Sequence, residues 1–185
     1  ASTRALVSWA LYDWANSAFP TTVISFVFAA YFAKAVAPTE ELGQVWWSWG
    51  VGVSALVVAI TAPIFGAIAD REGRRKPWIF LFSLLCVVAT ASLWFIRPEA
   101  SLALTALVLV GIAKIGFELS SVFYNAMLPS LAPKEKLGRW SGWAWGVGYA
   151  GGLTVLAVCL FGFVQAETPL FGLGKEEAEN VRFTT

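Results

Sequence analysis

The chain has 185 residues, 58% of them hydrophobic and 14% charged, with a net charge of +1. This is too apolar for an ordinary soluble domain, and so small a charge gives no electrostatic case for a nucleic-acid partner. Histidine is absent, which excludes histidine triads and HExxH zinc sites, so no enzyme activity, metal site or cofactor is expected.

A spanning helix needs about 20 mostly apolar residues, and five segments reach that length. The first, 5–33, carries Asp13, Asn16 and an interior Pro20. The second, 42–69, is free of charge and contains Pro63. The third, 77–96, is also uncharged. The fourth, 101–127, contains Lys114 and Glu118, and the fifth, 140–166, is uncharged and rich in glycine. Short connections suit antiparallel neighbours in an all-α membrane bundle. The remainder, 167–185, reads as an external loop with a short amphipathic helix around 175–183, leading towards a sixth helix. The chain starts at Ala1 rather than at methionine, so a trimmed start or a fragment is expected. Cys86 and Cys159 lie far apart in apolar runs and read as small buried hydrophobes.

Loop charges set the orientation. Arg4, Arg71, Arg74, Arg75, Lys76, Lys134, Lys136 and Arg139 fall on one side, and Lys34, Arg97, Lys175 and Arg182 on the other. The richer side is expected to be cytoplasmic, which places the N-terminus inside and makes the protein a multi-pass component of the plasma (inner) membrane, with the lipid bilayer as its surroundings. Trp46, Trp47, Trp49 and Trp94 then lie at the outer interface, and Trp78, Trp140, Trp143 and Trp145 at the inner one. Aromatic belts at the headgroup levels account for them without a ligand.

The loop after the second segment reads Gly66-Ala-Ile-Ala-Asp70-Arg71-Glu-Gly73-Arg74-Arg75-Lys76. A basic loop that only sets topology is one reading. Asp70, however, is an anion at a helix C-terminus, where the dipole disfavours it, so a specific partner is expected. Gly73 permits a tight reversal, and Gly66 lets another helix approach closely. The string resembles the signature of the major facilitator superfamily between its second and third helices. That resemblance implies a cytoplasmic gate at Asp70, Arg71 and Arg74 within the motif Gly66, Asp70, Arg71, Gly73, Arg74 and Arg75. It also implies an N-terminal half-bundle whose partner is a missing C-terminal half of the same chain.

Three further stretches narrow the likeness: Trp9-Ala-Leu-Tyr12-Asp13-Trp14-Ala-Asn16-Ser17-Ala-Phe19, Val122-Phe123-Tyr124-Asn125-Ala-Met-Leu-Pro129, and the run from Gly138 to Gly152. Together they look like the vacuolar amino-acid effluxer family, the autophagy-related branch. The resemblance implies a secondary active transporter working by alternating access on a small solute, with exported amino acids as one class.

A charge at mid-bilayer costs roughly 2.5–3.5 kcal/mol on the gentlest scale, so such residues face a cavity or a partner. Lys114 and Glu118 share one helix face. By rise per residue, Asp13 and Glu118 lie at nearly equal depth, with Asn16 one turn above Asp13. In the facilitator fold the first and fourth helices both line the central cavity, so the likeness brings Asp13, Asn16, Lys114, Glu118 and Asn125 to a site for substrate or a coupling proton. The alternative is a structural Lys114–Glu118 bridge in a non-transporting membrane scaffold. Gly142, Gly146, Gly148, Gly151 and Gly152 are expected to serve helix packing.

Overall fold

The computed structural model describes residues 3–185, apart from the Glu72 side chain. Five helices are long and apolar enough to cross a membrane: Thr3–Val36, Glu40–Arg71, Lys76–Phe95, Ala100–Leu131 and Lys134–Val164. These are spans 1 to 5, and the described residues contain no strand.

Capping sets the helix ends, and so they fall outside the apolar windows. Thr39 is extended and its hydroxyl oxygen accepts the Leu42 N–H at 3.3 Å, with Glu40 and Glu41 in the first turn of span 2. Carboxylates there meet the positive end of the helix dipole. At the other end Gly73 takes φ +66°, and its N–H donates to the Ala69 carbonyl at 3.0 Å. A residue with a Cβ resists that left-handed conformation, so the glycine closes the helix.

The two interior prolines act differently. Span 1 is α-helical over Thr3–Asn16 and winds as a π-helix over Pro20–Phe26. Pro20 has no N–H to continue the ladder. The Thr21 and Thr22 hydroxyls donate to the Ser17 and Ala18 carbonyls at 2.8 and 2.9 Å, satisfying backbone groups near the break. Pro63, by contrast, lies inside one uninterrupted helix, Glu40–Glu72.

Span 4 is the centre of the bundle. Spans 2 and 3 pack along it, span 1 packs along span 5, and spans 1 and 4 also touch. Lipid tails are as apolar as leucine, so helices associate through close fit rather than through loss of water. Gly116 shows the fit: a Cβ there would lie 2.7 Å from the Phe82 carbonyl oxygen and 2.9 Å from the Cys86 nitrogen. Exchanging span 1 with span 4 and span 2 with span 5 turns the 1–5 pairing into the 4–2 pairing, the relation that an internal repeat produces.

The largest core lies at the end opposite the Asp70 loop, where Phe28, Phe32, Leu93 and Ile96 are fully buried. Several belt tryptophans pack inward instead of only facing the headgroups. Trp47 meets Phe28 and Phe32, and Trp78 meets Phe65, Phe82 and Phe123. Trp49 stays 71% exposed. Both cysteines are buried and unbridged.

Beyond span 5 the chain folds back over this same end, with a helix of only Glu179–Arg182. Arg182 is buried, donates to the Trp94 carbonyl at 2.7 Å and lies 5.0 Å above that indole ring. Asn180 donates to the Phe163 carbonyl at 3.0 Å. Arg182 therefore ties the tail to the bundle and is not a free loop charge.

Candidate functional site

At the basic end, Asp70 finds its partner within the same loop. Arg75 Nη2 lies 2.8 Å from Asp70 Oδ1, and Arg75 Nη1 donates to the Ala126 carbonyl of span 4 at 2.9 Å. One guanidinium thus pins the end of span 2 to the end of span 4, and its planar fork suits two separate acceptors. Arg71 and Arg74 are exposed, and neither has a hydrogen bond or ion pair among the described residues that binds it to Asp70. A Cβ on Gly66 would meet nothing within 4 Å. The motif therefore divides: Asp70, Gly73 and Arg75 shape the loop, while Arg71 and Arg74 are exposed, Arg74 beside Met127 and Ser130 of span 4, and Gly66 has open space around it.

Along span 4, Lys114, Glu118 and Asn125 recur at helical spacing on one face, with Ser121 between them. Lys114 Nζ lies 2.8 Å from Glu118 Oε1, with the side chains 14% and 40% exposed. This pairing offsets two charges that would each be costly in lipid. Asn125 is exposed. Gly111 and Leu107 of the same helix meet Ser54 and Gly50 of span 2.

Asp13 sits elsewhere. A Cβ built on Gly148 of span 5 would lie 2.7 Å from Asp13 Oδ2 and 2.9 Å from Ser17 Oγ. The carboxylate is therefore seated on the span 5 backbone. No hydrogen bond or ion pair joins it to Lys114 or Glu118 among the described residues. Asn16 lines a groove of about 470 Å³ with Tyr12, Phe19, Ser83, Cys86 and Thr90, between spans 1 and 3. The structure thus joins Lys114 to Glu118, with Asn125 further along the same face, and bonds neither Asp13 nor Asn16 to that pair among the described residues.

An aromatic junction holds Asp13's stretch of span 1 against span 4. The Trp9 ring stacks on Tyr124 at 4.4 Å and the Tyr12 ring at 5.0 Å. Trp9 Nε1 donates to the Tyr124 carbonyl at 3.0 Å, and the Tyr12 and Ser83 hydroxyls are 2.7 Å apart. Among the described residues the buried Tyr124 hydroxyl has no hydrogen-bond partner. The sequence carried Tyr124 only within a family-like stretch and did not single out Ser83, because nothing local marks which aromatic or hydroxyl on another helix will meet Trp9 and Tyr12.

The glycines of span 5 divide by face. Gly148, Gly151 and Gly152 press on Asp13, Trp14 and Thr21 of span 1, whereas Gly142 and Gly146 open onto empty space.

The family model described as Major Facilitator Superfamily matches residues 2–156. An uncharacterized MFS-type transporter of Bacillus subtilis (strain 168), YxiO, is 33% identical over 166 residues, covering 87% of this chain and 38% of its own length. An uncharacterized protein of Aquifex aeolicus (strain VF5) is 28% identical over 150 residues, covering 81% of this chain and 36% of its own length. The chain therefore spans well under half the length of these curated relatives. No solved structure matches it at a significant level. Five apolar spans, the Asp70–Arg75 loop between the second and third of them, and a family match over most of the sequence converge on one assignment: the chain belongs to the major facilitator superfamily.

Proposed function

We propose that this chain forms the N-terminal half-bundle of a secondary active transporter that moves a small solute by alternating access. Its branch of the superfamily is the vacuolar amino-acid effluxer family, and amino acids, exported, are the solute class. The observation that carries the reading is the Lys114–Glu118 pair, a cation and an anion 2.8 Å apart in the middle of a span and only partly buried. A site offering both signs suits a zwitterion, whose carboxylate and ammonium can each replace one member of the pair. The N-terminus lies in the cytoplasm and the basic loops face it, in the plasma membrane.

Alternating access needs a second half against which this one rocks. Two open features suit that role: the Gly142 and Gly146 face, and the exposed Arg71 and Arg74 near Asp70. The Asp70–Arg75–Ala126 tie makes the loop move with span 4. Because Lys114 and Glu118 close on one another, a second reading is a membrane scaffold in which they only hold the fold.

Counterflow separates the two readings. The full-length protein in lipid vesicles is expected to exchange amino acids saturably, and Glu118→Gln and Lys114→Met should each lower the rate by about tenfold or more, equal to about 1.4 kcal/mol of lost stabilisation. Unchanged exchange in both variants would support the scaffold role for the pair. No exchange of any amino acid by the native protein would exclude that solute class.

A further inference from the structure

We propose that residues 177–182 form a releasable clasp, which locks the ends of spans 1, 3 and 5 into one body at the end opposite the Asp70 loop. The clasp is a property of this half alone and does not rest on the transporter reading. Spans 1, 3 and 5 run in the same direction, so their C-termini meet at this end. Each helix C-terminus leaves its last carbonyls unpaired and carries about half a negative charge. The short helix Glu179–Arg182 touches all three spans, at Val27–Tyr31, Leu93–Phe95 and Leu160–Val164. Asn180 and Arg182, both buried, reach carbonyls on two different spans. Asn180 donates to the Phe163 carbonyl of span 5 at 3.0 Å, and Arg182 Nη1 donates to the Trp94 carbonyl of span 3 at 2.7 Å. Ala178 and Val181 pack on the core that holds Phe28 and Tyr31 of span 1. Tyr31 in turn donates from its hydroxyl to the Ile96 carbonyl, just past span 3, at 2.8 Å.

The charge on Arg182 explains why one residue serves three helices. A buried guanidinium needs compensating negative charge. Its ion pair with Glu177 is long, at 3.9 Å, and Glu177 is mostly exposed and equally far from Arg97. The helix ends supply the rest: the Trp94 carbonyl accepts, and the Trp94 indole face lies 5.0 Å from the guanidinium carbon. Arg182 is thus the shared counter-charge of the converging C-termini.

Two features oppose closure and make the clasp releasable. Ala178 takes φ +55°, a left-handed conformation that a residue with a Cβ resists. A four-residue helix also has too few internal bonds to stand alone. The clasp is therefore shut only while Asn180 and Arg182 hold their carbonyls. Span 5 ends in a matching soft element, the π-helix Leu160–Val164, whose Leu160 carbonyl accepts from the Gln165 N–H at 2.8 Å. Such wide turns are rare and mostly span a single turn. The Phe163 carbonyl that Asn180 takes belongs to this turn, so release of the clasp unties the last turn of span 5 along with the tail.

The test is hydrogen–deuterium exchange of the full-length protein in lipid vesicles, read by mass spectrometry, with helix content followed by circular dichroism. Native amides in 177–185 should exchange about a hundredfold more slowly than open peptide. Asn180→Ala should speed exchange by about tenfold in both 177–185 and 160–165, and leave the 71–76 loop unchanged. Arg182→Gln should do the same and also free 93–97. Ala178→Gly, which relieves the left-handed turn, should slow exchange in 177–185 by about threefold or more. A native tail that exchanges like open peptide overturns the clasp. Variants that free 177–185 but leave 160–165 at the native rate overturn its hold on span 5. Unchanged or faster exchange in Ala178→Gly overturns the strained, releasable hinge. If Arg182→Gln loses helix content, Asn180→Ala and Ala178→Gly still decide, and no outcome depends on solute flux.

Discussion

Replacing Gly116 by alanine adds one methyl group where the bundle has least room. The new Cβ would stand 2.7 Å from the Phe82 carbonyl oxygen and 2.9 Å from the Cys86 nitrogen, both backbone atoms of span 3. Backbone cannot rotate away as a flexible side chain can, so spans 3 and 4 must separate by several tenths of an ångström. Overpacking of this kind costs roughly 1–3 kcal/mol, and the alanine's better helix propensity returns about 1 kcal/mol. A net loss of up to about 2 kcal/mol is expected on those two figures. Gly142→Ala is the matched control, because its Cβ meets nothing within 4 Å. It keeps only the propensity gain, about 0.5–1 kcal/mol of stabilisation. Reversible unfolding in mixed micelles, followed by circular dichroism, reads both variants. The midpoint should fall for Gly116→Ala and hold or rise for Gly142→Ala. Equal shifts in the same direction would refute the claim that spans 3 and 4 meet at Gly116.

Three other outcomes follow from the geometry. Arg75→Ala should loosen the loop after span 2 more than Asp70→Asn does, since it removes the Ala126 tie as well as the ion pair; protease nicking at the Arg71–Lys76 loop measures it, and the mostly exposed pair alone is worth at most about 1 kcal/mol. Lys114→Met should destabilise the bundle by about 1 kcal/mol by stranding the partly exposed Glu118, while adding Glu118→Gln should recover most of that loss in a double-mutant cycle. Trp9→Phe should keep the stack on Tyr124 but lose the indole N–H bond, costing about 1 kcal/mol in the same unfolding assay.

The spans and their order were legible because twenty-residue apolar runs have few alternatives. Gly73 was legible too, since the loop needed a residue able to take positive φ. Helix ends were less so: Thr39, Glu40 and Glu41 look like loop by hydropathy yet make the cap of span 2. The partner of Asp70 could be foreseen as a need but not as Arg75, because several arginines stood equally near in sequence. Lys114 and Glu118 were readable as a pair from their spacing alone. No hydrogen bond or ion pair ties Asp13, Asn16 or Asn125 to that pair among the described residues, and depth along a helix says nothing about rotation around it. Asp13 turns to Gly148 on span 5, and Asn16 lines the groove between spans 1 and 3. Tyr124 stood in a family-like stretch, but its contact with Trp9 and Tyr12, far away in sequence, emerged only in three dimensions.

Cysteine accessibility in the full-length protein tests the central claim most directly. With Cys86 and Cys159 replaced, Ser121→Cys and Asn125→Cys report the polar face of span 4, and Leu84→Cys, exposed on span 3, reports lipid. A membrane-impermeant thiol reagent should label both span 4 positions, with a rate that depends on the side of addition and on solute, and should leave Leu84→Cys unlabelled. Protection of both span 4 positions from both sides, equal to that of Leu84→Cys, would contradict a water-filled path along span 4 and with it the transporter reading.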